Sequence, residues 1–315
     1  MKLFTKIPLA PAKDPITYDS SVLLMGSCFT ENMGGKLDYF KFQNVQNPFG
    51  IVFHPLAIDI LVDIALSEKP FREADIFFHN ELWHCFEVHS RLSSPNKEAF
   101  LNTLNTQREL LKNTLCNATH IIFTLGTAWV YRHTESDRIV ANCHKVPQRA
   151  FSKELLSVSL ISETIQQSID RIHAVNPKAS ILFTVSPVRH LKDGFVENAR
   201  SKAHLIAGLH AALDARPNVF YFPSYELMQD ELREYRFYSE DLIHPNATAI
   251  ELLWERFKNV WIASETAAIQ KEVDSIQKGL QHRPFHVKGT AYKAFQNNLQ
   301  KKISELEQRV PGLKF

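Results

Sequence analysis

The side chains able to break a covalent bond fall in a few short stretches. The first is residues 21–37, SVLLMGSCFTENMGGKL, where apolar residues 22–25 run into Gly26-Ser27-Cys28 and then into a segment able to start a helix, with Thr30 as its expected cap. A thiol at a helix N-terminus faces unpaired N–H groups that favour negative charge, and its thiolate is a nucleophile. The same position also suits a cysteine that only packs, because free cysteines are often buried as small apolar groups. The second stretch is residues 241–246, DLIHPN. An aspartate three residues before a histidine in a turn, here Asp241 and His244, can hold the imidazole in one tautomer and leave its other nitrogen as a general base. Alone, that spacing fits an Asp or Asn capping the following helix equally well.

The remaining candidates follow other apolar runs. Gly126 and Thr127 come after residues 120–125, and Arg189 and His190 come after residues 181–185. A guanidinium there can grip a carboxylate or phosphate through two parallel hydrogen bonds, or pair with an acid such as Asp193. Tyr238 can line the same cleft, while Arg233, Arg236 and Tyr235 suit a loop that presents Asp241.

Positioning these groups needs alternating strands and helices. Apolar runs at 22–25, 120–125, 181–185 and 219–222 predict buried strands, and helical spacing predicts helices near 55–66, 96–115, 156–173, 196–213 and from 247. Strands separated by such helices imply a parallel sheet covered on both faces, with ligands outside the carboxyl ends of its strands. Residues 74–92 and 128–150 read as two β excursions from that core, the first a hairpin broken at residues 79–81. Two amphipathic helices close the chain, with apolar seams at Ile269, Val273, Ile276 and Leu280 and at Tyr292, Phe295, Leu299, Ile303, Leu306 and Val310. We therefore expect an α/β domain at residues 1–262 and a helical extension at 263–315 that wraps the domain or joins two copies as a homo-oligomer.

Composition removes several function classes. The 315 residues are 44% hydrophobic and 22% charged, with 36 basic and 34 acidic side chains, so neither disorder nor a net drive toward nucleic acid is expected. No sustained basic and aromatic stripe offers a nucleic-acid surface. The four cysteines form no CxxC pair, and no leader-type apolar segment precedes Pro11 and Lys13, so a cytoplasmic location is expected. No run approaches 18 uncharged apolar residues, so no membrane-spanning segment is expected. Phosphate-cradling glycine motifs are absent, and the spacing of Cys28, His190 and His244 is unlike a compact zinc motif; neither cofactor nor metal is expected.

In combination, these stretches resemble the SGNH, or GDSL, hydrolase superfamily. More closely, GSCF at 26–29, SPVRH at 186–190, YFPSYELMQDELREYRFY at 221–238 and DLIHP at 241–245 resemble the GSCFA-domain family of bacteria, over roughly residues 15–260. The resemblance implies a three-layer, flavodoxin-like SGNH-hydrolase fold with a central parallel sheet. It places Cys28 at the nucleophile position, Asp241 at that of the orienting acid and His244 at that of the base, which would take the thiol proton and return one to the leaving group. Ser27 stands where an acidic residue is usual, and its hydroxyl is the alternative nucleophile. By the same resemblance the oxyanion donors are the Cys28 N–H, a glycine met by Gly50, and an asparagine. Gly126-Thr127-Ala128 stands where Gly-x-Asn is expected, leaving Gly126, Thr127 or Asn47 to substitute. The implied activity is an esterase-like hydrolase or acyltransferase working on a small-molecule, carbohydrate or lipid acyl substrate through a covalent intermediate. The alternative is a non-catalytic ligand-binding protein on a degenerate hydrolase scaffold.

Overall fold

Five consecutive buried residues in Val22–Gly26 and six each in His120–Leu125 and Ser180–Val185 are what a strand covered on both faces requires. The computed structural model describes residues 5–67, 69–214, 216–285 and 289–315. The first four residues, part of the stretch read above for a leader, lie outside that range. In chain order the elements are β1 (Val22–Gly26), α1 (Cys28–Tyr39), β2 (Asn44–Gln46), α2 (Pro55–Leu66), β3 (Phe77–His79), β4 (Leu82–His84), α3 (Lys97–Asn117) and β5 (His120–Leu125). There follow β6 (Trp129–His133), β7 (Arg138–Val140), β8 (Phe151–Leu155), α4 (Val158–Val175), β9 (Ser180–Val185), α5 (Phe195–Leu213), β10 (Val219–Phe222) and the single turn α6 (Ser224–Glu226). The chain ends in α7 (Ala247–Trp261), α8 (Ala267–Gln281) and α9 (Thr290–Arg309).

The central sheet has the order β10-β9-β5-β1-β2, and every pairing in it is parallel. Chain direction across the sheet reverses between β1 and β5, which opens a crevice at their carboxyl ends. Alternation along the strands feeds two apolar layers. Leu23, Met25, Ile121, Phe123, Ile181 and Phe183 join α2, α3, α4 and α5 on one face. Val22, Leu24, Ile122, Leu182 and Phe222 join α1 and α7 on the other. Val273, Ile276, Ile303 and Leu306 of the two C-terminal helices belong to that second layer, and Tyr39 on α1 donates to Asp274 on α8 at 2.8 Å. The helices thus lie against α1 and α7 of the same chain. Leu280 is half exposed, outside the seam expected for it.

The hairpin is β3–β4, and the second excursion is the antiparallel sheet β7-β6-β8. The three-residue edge strand β2 and the partly exposed β8 were not among the expected strands. Both are short and unevenly buried, so neither carries a continuous apolar run. Among the described residues no helix is long and apolar enough to cross a membrane.

Two buried imidazoles fasten the excursions, His54 to the core helix α2 and His144 to each other. His54 caps α2, its Nδ1 accepting the Ala57 N–H at 3.1 Å, so its Nε2 is the donor to the Val140 carbonyl of β7 at 3.1 Å. His144 Nε2 donates to the Cys85 carbonyl at 2.6 Å. Burial holds both below the usual histidine range, at about 4, so both are neutral in the folded chain at pH 7. The unfolded rings take up protons below about pH 6.5. Stability that is fully present above that value is therefore lost as pH falls toward 4. Urea midpoints should drop between pH 7.5 and pH 5, and the drop should shrink in H54N, which keeps a capping oxygen without the titration. Equal midpoints in the parent protein at the two pH values would refute this account.

Candidate functional site

The crevice is set by the level ends of β1, β5 and β9. Gly26 pairs with Thr124, and Thr124 with Thr184. Gly26 has φ +145°, and a Cβ there would lie 2.3 Å from the Thr124 carbonyl oxygen, so only glycine lets the chain turn this close to β5. The next residue, Ser27, is the N-cap of α1: its Oγ accepts the Phe29 N–H at 3.3 Å and it is 3% exposed. Thr30, expected as the cap, lies inside the helix, because the tight turn lets α1 begin three residues earlier.

Cys28 is thereby the first residue of α1, half-buried and in no disulfide. Burial pushes its thiol above the ordinary value, opposed by the Phe29 N–H, by its own N–H and by the charge of Lys202, and reinforced by Glu31. Lys202, on α5, was not among the expected site residues. It is 1% exposed, and its Nζ donates to the Gly126 carbonyl at 2.7 Å and the Ser186 carbonyl at 2.8 Å, just beyond β5 and β9. Burial brings its pKa down to about 7 against the opposing pull of Cys28. A signal existed in the sequence: Asn198, Ser201 and Lys202 share a helical face with Leu205, Leu209 and Ala212, which is the buried face of α5.

Asp241 and His244 form a self-contained unit. His244 Nδ1 lies 2.6 Å from Asp241 Oδ2, while Asp241 Oδ1 accepts the N–H groups of Ile243 and His244 at 2.9 and 3.0 Å. Those three donors hold the Asp241 carboxyl down at about 2, led by the His244 backbone N–H. Leu242 is forced to φ +56° to close the turn. Asn246, not Asp241, caps α7, accepting the Ala249 N–H at 3.0 Å. Both members of the pair are exposed. No hydrogen bond joins Cys28 Sγ to the imidazole among the described residues.

His190 links the two halves electrostatically. Burial, then the charge of Lys202, then that of His244 keep it near 4, with Asp193 opposing. Its ring lies tilted against Phe53, with centroids 5.1 Å apart, and both line a cavity of about 250 Å³ with Thr127, Trp129, Tyr131 and Cys143. Asp193 pairs with Lys153 at 2.5 Å and not with Arg189, because β8 brings that lysine alongside. Arg189 donates to Gln229 at 2.5 Å, and Gln229 reaches the Tyr238 hydroxyl at 3.5 Å. Burial raises the Tyr225 hydroxyl above its ordinary value, with the charge of Arg189 opposing, and the Tyr225 ring lies 5.6 Å from Lys202 Nζ.

The candidate oxyanion donors stand differently. The Gly50 N–H is engaged by the Asn47 carbonyl at 2.7 Å and the Gly126 N–H by the Phe53 carbonyl at 2.7 Å, so neither glycine presents a free donor. Thr127 Oγ1 is tied to Ser201 Oγ at 2.9 Å and accepts the Trp129 N–H at 3.0 Å. Asn47 follows β2, and its Oδ1 accepts the Gly26 N–H at 2.8 Å. Its Nδ2 is buried without a partner.

Compared with models of known families, residues 21–257 match the GSCFA family. The chain belongs to the GSCFA family. Residues 273–315 match the C-terminal domain of GSCFA domain proteins. No curated protein matches. Among solved structures the GSCFA chain is similar to an acetyl xylan esterase, Est2A, from the rumen bacterium Butyrivibrio proteoclasticus, at 9% identity and a TM-score of 0.42, over 77% of this chain and 64% of that one. The chain thus spans less than two thirds of that protein's length. Among the described residues no group of three or more His, Cys, Asp or Glu side chains could hold a metal ion.

The cap assigns Ser27 and Cys28 different work in this GSCFA protein. S27A should cost about 1 kcal/mol of unfolding free energy, the usual worth of an N-cap hydroxyl. It should leave Cys28 open to alkylation in the folded protein. Chemical denaturation and peptide mass mapping read the two effects, and loss of alkylation without loss of stability would reverse the assignment.

Proposed function

We propose that this GSCFA protein is a hydrolase or acyltransferase that carries an acyl group on Cys28. The observation that carries the reading is the set of groups collected at the carboxyl end of the parallel sheet. A thiol stands at the N-terminus of a twelve-residue helix, in electrostatic reach of Lys202. Lys202 and His244 both act on the charge of His190. The strand order, 2-1-3-4-5 when only the parallel strands are counted, is the flavodoxin-like order, and Cys28 follows the strand at its switch point.

In this reading Cys28 Sγ attacks the acyl carbon, and the carbonyl electrons move onto oxygen. The donors for that oxyanion are the Cys28 N–H, freed by its place at the helix start, and the unpartnered Asn47 Nδ2. His244, with its Nδ1 fixed by Asp241, uses Nε2 to take the thiol proton as the S–C bond forms and gives it to the leaving alcohol, thiol or amine as that group's bond to the acyl carbon breaks. It then takes one from the incoming water or acceptor and returns it to Sγ as the S–C bond breaks. That shuttle requires the exposed His244 loop to close on Cys28 when substrate binds. Arg189, supported by Gln229, suits a substrate carrying a carboxylate or phosphate. The cavity beside His190, at about 250 Å³, suits a small acyl or alcohol group.

Turnover of a panel of small esters and thioesters, with mass-spectrometric trapping on Cys28, tests this directly. C28A should abolish turnover, H244A should slow it by roughly 10²–10⁴, and N47D, which keeps the acceptor for Gly26 and removes the N–H donors, should slow it by about 100-fold. Absence of any label on Cys28, with turnover unchanged in both C28A and H244A, would sink the reading. A second reading, a binding protein for an anionic ligand, draws support from the engaged Gly50 and Gly126 N–H groups. It predicts saturable binding, weakened by an Arg189→Ala change, with no acyl transfer.

A further inference from the structure

Every polar group of Asn47 but one is engaged. Its N–H donates to the Leu24 carbonyl at 2.8 Å, its carbonyl accepts the Gly50 N–H at 2.7 Å and Arg91 Nη2 at 3.1 Å, and its Oδ1 accepts the Gly26 N–H at 2.8 Å. Nδ2 is left over, buried and unpartnered, on a residue 2% exposed. The bond lengths of an amide keep Nδ2 within about 5 Å of the Gly26 nitrogen, two residues ahead of Cys28. The backbone that carries it is constrained: Asn47 has φ +39° and Gly50 φ +78°. A non-glycine residue keeps such a conformation when its surroundings over-determine it. Those surroundings come from the first excursion. The His89 N–H donates to the Phe49 carbonyl at 2.9 Å, and a Cβ on Gly50 would lie 2.3 Å from His89 Cβ and 3.2 Å from Arg91 Nε. Arg91, in the single turn Ser90–Leu92 after β4, then forks: Nη2 goes to the Asn47 carbonyl, and Nη1 goes to the carboxylate of Glu31, one turn along α1 from Cys28.

We propose that Arg91 is the positioning residue of the oxyanion corner: its guanidinium ties the Asn47 backbone to α1 and so fixes Asn47 Nδ2 relative to the Cys28 N–H. This deepens the reading of Cys28 as the acyl carrier and rests on it. Arg91 acts through Asn47. When Sγ adds to the acyl carbon and the carbonyl electrons move onto oxygen, both donors must already converge on that oxygen, and a donor that drifts loses most of its effect. Two rigid, divergent N–H groups are what such a tie needs, and a lysine ammonium on its flexible stem does not provide them. The Arg91–Glu31 pair is more than a third exposed at both ends, so its worth to stability is small and its use is in register. The first excursion, otherwise a surface hairpin and turn, thereby becomes part of the site.

The test joins amide hydrogen exchange to kinetics on the ester and thioester panel, both in the full chain. R91A should lower the protection of the Gly26 and Gly50 amides, the two that Asn47 accepts, by about tenfold, while Leu24 and Ile122 in the sheet keep theirs. It should lower kcat by about ten- to a hundredfold with KM within about twofold, the signature of an interaction made only in the transition state. In N47D, where the side-chain donor is already gone, removing Arg91 should cost less than about twofold more. Unchanged protection in folded R91A, or losses that multiply in the R91A/N47D double variant, would overturn the assignment. If R91A does not fold, R91K decides in its place: a retained loss of kcat supports the fork, and wild-type kcat overturns it. A wild type that never carries an acyl group on Cys28 refutes the acyl-transfer reading, and the protection of Gly26 and Gly50 in R91A then settles by itself whether Arg91 positions Asn47.

Discussion

The structure around the crevice depends on one buried cation bridging two strand ends. The Gly126 and Ser186 carbonyls point past the ends of β5 and β9, where the sheet ladder can no longer satisfy them, and Lys202 Nζ donates to both. Leaving them unpaired in a dry crevice would cost on the order of 1–3 kcal/mol each. The same face of α5 supplies Ser201, whose Oγ accepts the Ala128 N–H at 2.7 Å, and Asn198, whose Oδ1 accepts the His190 N–H at 2.9 Å. One helical face thus fixes the turn after β5 and the backbone of the loop after β9 at His190. Substrate-sized space beside His190 exists because those loops are held apart and not collapsed onto each other.

That arrangement divides the site into a rigid floor and an exposed rim. Cys28, Lys202 and Asn47 belong to the floor, each set by backbone hydrogen bonds at the ends of strands. Asp241 and His244 belong to the rim, in a turn that orders itself through the Asp241 carboxylate and is joined to the body by Asn246 and the Tyr238–Pro245 bridge. The floor positions groups with little freedom, as a reacting thiol and its oxyanion require. The rim orders itself independently of the core, because its hydrogen bonds close within the turn and its immediate flanks.

Much of the frame was legible in the sequence because burial on both faces leaves continuous apolar runs. Residues 22–25, 120–125 and 181–185 could hardly be anything but covered strands, and the positions after them marked the crevice. Other features left no such trace. β2 is three half-buried residues at a sheet edge, and its pairing is decided by β1 and not by its own composition. The cap of α1 is Ser27 and not Thr30, since the early helix start depends on how closely Gly26 packs on Thr124. Engagement of the Gly50 and Gly126 N–H groups follows from loops folding back on themselves, which residue types do not announce. Lys202 is hidden in the sequence because a lysine in a helix ordinarily reads as a solvated residue. Its register with Leu205 and Leu209 was the clue, and it takes precedence over residue type.

In the proposed reading the leaving group's position varies with the substrate, so its proton must come from a group that solvent can recharge between turnovers. An exposed imidazole tethered by Asp241 at 2.6 Å meets that demand. A lysine locked by two carbonyls does not, because its Nζ is buried and already engaged at the ends of β5 and β9. Burial therefore suits the amine of α5 to holding the crevice in shape, and exposure suits the imidazole ahead of α7 to exchanging protons with solvent.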